Sequence, residues 1–173
     1  MTIQHRVPLI GQATNNLCWL SAFQMLEVWY NAFQLKRPIA FSATQIAHLT
    51  AMNWGVKPEN VAGFARLMGL TIKTAAPDAR GVEHLLKTYG PIWYPGRNLG
   101  YGPVGTHHVV VIRGIVDNDL LINDPSPVGT GTARRIPSAT LFAQLAPLDD
   151  QFLVMLADSK PDTVAIFQDL KVR

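Results

Sequence analysis

The chain has 173 residues, 48% hydrophobic and 16% charged, which excludes a disordered or fibrous chain and suits one domain with a real core. A formal charge of +3 and a pI near 9.2 are mildly basic, but the cations are scattered, and no basic stripe with stacking aromatics points to nucleic acid. The single cysteine excludes an intramolecular disulfide and a multi-thiolate zinc site.

Taken in chain order, Val7, Leu9 and Ile10 alternate loosely and predict a short edge strand, with Gly11 turning the backbone away. Residues 12–17 are polar, and Asn15 and Asn16 suit a turn ahead of a helix. A helix is predicted over Cys18–Phe33. Trp19, Phe23, Leu26, Trp29 or Tyr30 and Phe33 recur at helical spacing, and Ser21, Gln24, Glu27 and Asn31 leave only a thin polar stripe. A helix this apolar is buried on most sides. Ser42-Ala-Thr-Gln45 is a capping box, with Phe41 and Ile46 as its hydrophobic staple, and starts a second helix running to about Met52. A lone histidine there, His48, reads as an ordinary helical residue. A third helix runs from about Pro58 to Met68 and ends at Gly69. Leu70–Thr74 alternates as a strand, and Val82–Tyr89 is a fourth helix stopped by Gly90-Pro91.

Near residue 90 the texture changes. Ile92–Tyr94 is a short strand. Residues 95–106 form a Gly- and Pro-containing loop, and Trp93, Tyr94 and Tyr101 are expected to line subsites beside it. His108–Val116 is a β-branched strand, 117–119 a turn and Leu120–Asn123 the returning strand, broken by Asp124-Pro125. Arg134–Ile136 is a strand, Ser138–Leu145 a short helix and Phe152–Ala157 a last strand, followed by a more polar tail, 158–173. Helices first and an antiparallel sheet afterwards is the α+β class. The expected organisation is a single domain over 1–157, with a helical lobe at about 12–90 and a β lobe at about 91–157 sharing a cleft.

Cys18 is the residue around which chemistry can be built. At a helix N-terminus a thiol meets unpaired backbone N–H groups and the positive end of the macrodipole, both of which favour thiolate. One cysteine with distant His and Asp or Asn is the pattern of a cysteine nucleophile. An imidazole beside the thiolate stabilises it and later moves the proton, and its second ring nitrogen needs an acceptor to hold it. His108 with Asp124 fits, and His107 and Asn123 remain open alternatives, since neighbouring strand residues face opposite sides. The developing oxyanion needs donors, and Gln12 with the Cys18 N–H suits that role.

The stretch Gln12–Trp19, QATNNLCW, resembles the nucleophile motif of papain-like cysteine proteases, with Gln six positions ahead of Cys and Trp directly after it. His108–Gly114 resembles the H-x-V-x-x-x-G strand that opens on the catalytic histidine, and Asp124, sixteen positions on, resembles the orienting residue. The short length and the Asp-Pro after the strand look more like two bacterial branches than like papain. These are the avirulence-type effector proteases of plant pathogens and the bacteriocin-processing peptidase domains of exporters. One departure is visible: papain-type enzymes carry a shielding Trp shortly after the orienting residue, whereas Asp124 is followed by Pro125 and Ser126.

The resemblance implies a papain-like fold, with a central nucleophile helix in an N-terminal helical lobe packed on an antiparallel β lobe. It implies a cysteine endopeptidase with Cys18, His108, Asp124 and Gln12 as catalytic residues and no metal or organic cofactor. The implied setting is a bacterial effector or toxin that acts on a protein or peptide substrate and is restrained by an immunity or inhibitor protein. The first residues, MTIQHRVPLIGQ, lack the apolar core of a signal peptide, and no apolar run reaches membrane-span length. The expected location is therefore the bacterial cytoplasm before export, with delivery into a target cell by a dedicated secretion system. Two rival readings are the same thioester chemistry in an amidase, deamidase or acyltransferase, for example on peptidoglycan, and a non-catalytic peptidase-like binding domain.

Overall fold

In the computed structural model the described residues are 2–33, 41–55, 57–102 and 106–156. The expected polar tail lies outside them. Helix α1 spans Cys18–Phe33, α2 Ala43–Met52, α3 Val61–Met68, α4 Ala79–Tyr89 and α5 Ser138–Gln144. The strands are β1 Thr2–Gln4, β2 Leu70–Thr74, β3 Ile92–Asn98, β4 His107–Val116, β5 Asp119–Asp124, β6 Thr132–Pro137, β7 Leu145–Pro147 and β8 Gln151–Met155. All join one antiparallel sheet in the order β2-β8-β3-β4-β5-β6, with β1 on the far end of β4 and β7 on the far end of β3. This is an α+β, papain-like architecture.

The caps explain most helix limits. Ser42 accepts from the Gln45 N–H at 3.3 Å, and the Gln45 side chain accepts from the Ser42 N–H at 2.9 Å, so the capping box forms as read. A 3-10 turn at Pro58–Asn60 leads into α3, which Gly69 closes at φ +60°. α4 begins earlier than hydrophobic spacing suggests, because the Asp78 carboxylate accepts from the Gly81 N–H at 2.8 Å and caps three further residues. The edge strand expected at Val7–Ile10 is not there. Thr2–Gln4 takes the sheet edge instead, and the backbone after it runs past Asn123, which bonds the carbonyls of Val7 and Pro8.

The sheet is covered on both faces. Trp93, Val109, Val111, Leu153 and Met155 pack with α1 and α3, whereas Ile92, Tyr94, Val110, Ile112, Phe152 and Val154 pack with α4 and α5. Double coverage is why these strands read as continuous apolar runs and not as alternating ones. β2, from the helix-rich half of the sequence, pairs along β8 and ties that half into the sheet.

β4 carries a bulge between Ile112 and Gly114. Its extra residue changes which side chains face which way, so Val110 and Ile112 share a core with Ile115. Gly114 is needed there, since a Cβ would lie 2.5 Å from the Ile3 carbonyl oxygen on β1. Gly114→Ala should therefore displace β1 and cost about 1–3 kcal/mol of stability, the usual range for overpacking, seen as a lower urea midpoint with unchanged slope.

Candidate active site

Cys18 is the first residue of α1, buried and unpaired with any other cysteine. The Ser21 N–H donates to the Leu17 carbonyl at 3.1 Å, which puts Leu17 at the cap position. A leucine offers no side-chain acceptor of its own, and the positive end of the helix dipole lies directly at the thiol. The helix is fixed from the sheet. Trp93 Nε1 donates to the Trp19 carbonyl at 3.0 Å, and Trp19 Nε1 donates to the Trp54 carbonyl at 2.8 Å.

His108 is the second residue of β4 and Asp124 closes β5, so both stand at the same end of one hairpin. His108 Nε2 is 2.7 Å from Asp124 Oδ1, and each residue is only 1% exposed. Facing a carboxylate, Nε2 carries the proton. Asp124 Oδ1 also accepts from the Ser126 N–H at 2.8 Å, and Oδ2 lies 3.7 Å from Arg134 Nη2. The other ring nitrogen, Nδ1, is buried with no conventional hydrogen-bond partner, and the Cys18 sulfur is near enough to act on the imidazole. Burial alone would lower the imidazole pKa. The hydrogen bond to Asp124 and the interaction with Cys18 outweigh burial and push it up to about 9.

The two alternatives lie elsewhere. His107 Nδ1 is 3.0 Å from Thr106 Oγ1, and burial and the Arg97 charge lower its pKa. Asn123 donates to the carbonyls of Val7 at 3.0 Å and Pro8 at 3.1 Å, and accepts from Arg113 Nε at 2.9 Å. Its amide is engaged in holding the N-terminal segment.

Gln12 is fully buried, and neither its Nε2 nor its Oε1 has a hydrogen-bond partner. Its backbone is pinned to the loop after Asp124: the Gln12 N–H donates to the Pro125 carbonyl at 2.9 Å and the Gln12 carbonyl accepts from the Gly129 N–H at 2.8 Å. The two segments run so close that a Cβ on Gly11 would sit 2.4 Å from the Thr130 nitrogen. A buried amide with no partner costs stability, about 1–3 kcal/mol per group, unless something else occupies it during function.

Trp93 and Tyr94 do not line a cleft. Both are completely buried; Trp93 serves α1 as above, and the Tyr94 hydroxyl donates to the Leu145 carbonyl at 2.7 Å with its ring stacked on Phe152. Tyr101 is also buried, with its ring 5.9 Å from that of His108. Arg134, which no sequence signal marked, reaches the same place from β6. Among the described residues no group of three or more His, Cys, Asp or Glu could hold a metal ion. A cavity of about 370 Å³, lined by His5, Trp29, Tyr30, Tyr89 and Gly90 among others, lies toward the C-terminal ends of α1 and α4, far along the helix from Cys18.

Residues 1–144 match the family described as papain-like cysteine protease AvrRpt2. The chain belongs to that family. It is a papain-like cysteine protease, a hydrolase. Three solved structures share the fold. A double glycine motif protease from an AMS/PCAT transporter, solved with its leader peptide, is 21% identical, with a TM-score of 0.53 over 87% of this chain and 91% of that one. The peptidase domain of Streptococcus ComA, a bifunctional ABC transporter of a quorum-sensing pathway, is 16% identical, with a TM-score of 0.55 over 87% and 100%. A C39-like peptidase from Bacillus anthracis is 11% identical, with a TM-score of 0.60 over 92% and 100%. No curated protein sequence matches the chain. No helix among the described residues is long and apolar enough to cross a membrane.

The raised imidazole pKa has a direct consequence. An unfolded imidazole titrates at its ordinary 6.5 and the folded one at about 9. Its contribution to stability is therefore complete below pH 6.5 and is lost as pH rises through about 9. In Cys18→Ala the sulfur's share vanishes while that of Asp124 stays, so His108 should titrate below about 9, as followed by NMR of the ring protons. An unchanged titration curve would show that Cys18 does not act on His108.

Proposed function

We propose that Cys18, His108 and Asp124 form the catalytic triad of an endopeptidase and that Gln12, with the Cys18 N–H, forms its oxyanion hole. The observation that carries this reading is the buried His108–Asp124 pair at 2.7 Å, with the free imidazole nitrogen left to the thiol at the head of α1. The unpartnered amide of Gln12 supports the second half, because an oxyanion is the partner it lacks.

In this mechanism the Cys18 thiolate attacks the scissile carbonyl carbon, and the carbonyl π electrons move to oxygen, where Gln12 Nε2 and the Cys18 N–H receive them. The C–N bond then breaks as His108 Nδ1 gives its proton to the departing amine, leaving a thioester on Cys18. Water attacks the thioester while His108 Nδ1 takes its proton. The carboxylic acid leaves and the thiol is restored. Asp124 keeps Nε2 protonated and in place throughout, so that only Nδ1 exchanges protons with the reaction.

The substrate is a protein or peptide segment able to lie extended across the site. One structural neighbour holds a leader peptide, which supports an extended peptide as ligand here. Residues 1–157 act as one peptidase domain, with 158–173 as an appended tail. We further propose, from the resemblance of the motifs to bacterial branches of the superfamily, an effector or toxin delivered by a secretion system and restrained by a protein inhibitor. That setting is fold-level analogy, whereas the triad is argued from the site.

Incubation with a target-cell proteome followed by N-terminus labelling should give new protein N-termini that Cys18→Ala does not produce. Release of peptidoglycan stem-peptide fragments with no new N-termini would instead identify an amidase, and an unchanged biological effect in Cys18→Ala would identify a binding domain. Gln12→Ala should lower kcat about 10²–10³-fold, the usual cost of one oxyanion donor, while leaving the rate of Cys18 alkylation by iodoacetamide nearly unchanged.

A further inference from the structure

The environment of the His108–Asp124 bond contains two groups that the triad does not use. The Tyr101 ring lies 5.9 Å from the His108 ring and 30° from parallel to it. The Arg134 guanidinium lies 5.2 Å from the centre of the Tyr101 ring, and its Nη2 is 3.7 Å from Asp124 Oδ2. Imidazole, carboxylate, guanidinium and phenol thus close a circuit of four side chains drawn from β4, β5, β6 and the loop after β3.

We propose that Tyr101 and Arg134 are positioning residues that cover the His108–Asp124 hydrogen bond against water and hold the carboxylate in register with the imidazole. The inference deepens the triad reading and rests on it for its catalytic meaning.

The loop is built to deliver Tyr101. Asn98 Oδ1 accepts from the N–H groups of Gly100 at 3.1 Å and Tyr101 at 2.9 Å, and Asn98 Nδ2 donates to the Gly102 carbonyl at 2.9 Å. Tyr101 is 5% exposed although it sits in a loop, and its buried hydroxyl makes no hydrogen bond of conventional geometry but is near enough to the Asp124 carboxylate to interact with it. Burial and then the nearby Asp124 charge push the phenol pKa upward, with Arg134 opposing, so the hydroxyl stays protonated beside the carboxylate. A planar ring in that position excludes water from the bond, and water is the competitor that would weaken it. Arg134 acts from the solvent side. Its side chain is 41% exposed, its cation lies over the phenol face, and its fork approaches the carboxylate oxygen that His108 leaves free. The charged and titratable groups acting on His108 itself are Asp124 from β5 and Cys18 from α1, while Arg134 from β6 faces Asp124 and the Tyr101 ring from the loop lies beside the imidazole.

The test reads water access directly. In the full chain, exchange of the His108 Nε2 proton with solvent is measured by NMR saturation transfer, alongside iodoacetamide alkylation of Cys18 from pH 5 to 9. Tyr101→Ala should accelerate exchange about tenfold or more, the loss expected when a charge-assisted hydrogen bond is opened to water. Tyr101→Phe, which keeps the ring, should stay within about twofold of the parent. Arg134→Ala removes a half-exposed side chain without entering the core and should also accelerate exchange. Exchange at the parent rate in Arg134→Ala overturns the inference even where Tyr101→Ala fails to fold. Equal acceleration in Tyr101→Phe and Tyr101→Ala overturns the covering role of the ring. Exchange is a ground-state property and needs no turnover. A parent with a slow Nε2 proton but an unactivated Cys18 would therefore sink the triad reading and not this one.

Discussion

The site depends on burying one hydrogen-bonded pair, His108 with Asp124. Removing an imidazolium and a carboxylate from water is expensive, and their attraction repays it only when the remaining polar atoms are satisfied. Asp124 meets that condition with the Ser126 N–H on one oxygen and Arg134 near the other. His108 meets it on one side only. Its buried Nδ1 is left without a conventional partner, and the Cys18 sulfur is near enough to act on the imidazole. Burial by itself disfavours the charged imidazole, and the attraction of Asp124 and Cys18 is what outweighs it.

That the pair consists of His108 and Asp124 follows from the bulge in β4. Beyond the turn, Ile115 pairs with Leu120 and Gly114 with Leu121, but past the bulge Ile112 pairs with Ile122 and Val111 with Asn123. Without the extra residue the register would place Asp124 opposite Val111, on the face carrying His107. With it, Asp124 shares the face of Val110 and His108, a diagonal separation that two side chains can bridge. Asn123 is turned to the other face, where it anchors Val7 and Pro8. One inserted residue therefore decides that His108, and not His107, meets Asp124.

This explains how much of the site was legible beforehand. Cys18 at a helix start was readable, because the apolar periodicity of α1 begins there and the preceding polar loop cannot continue it. The hairpin was readable from its β-branched run and its Asp-Asn-Asp turn. The choice between His107 and His108 was not a matter of alternation alone, since a bulge reverses parity and leaves no compositional mark except Gly114. Trp93 and Tyr94 resemble cleft aromatics in sequence, yet double coverage of the sheet makes them core. The start of α4 was missed because Asp78 acts through one side-chain bond and not through hydrophobic spacing. Arg134 was invisible for a plainer reason: on β6 it is one of two adjacent arginines, and only the register of β5 with β6, which sets Ile122 opposite Arg134, brings it beside Asp124.

The arrangement also divides the machinery between two supports. The thiol rides on α1, which is fastened to the sheet through the Trp93 bond to the Trp19 carbonyl. Gln12 is fastened instead to the 125–129 loop, through Pro125 and Gly129, and that loop continues directly from Asp124. Close approach is enforced by Gly11 and by Gly131, where a Cβ would meet the Asp124 carbonyl oxygen at 2.8 Å. Gln12 and the Asp124 carboxylate therefore hang on one piece of backbone, while Cys18 sits on another. A perturbation that shifts the loop moves Gln12 and the anchor of the His108 imidazole together and leaves the Cys18 thiol where it was. On the triad reading proposed above, displacing that loop misaligns Gln12 and His108 at once, a physical route to inhibition that does not touch Cys18.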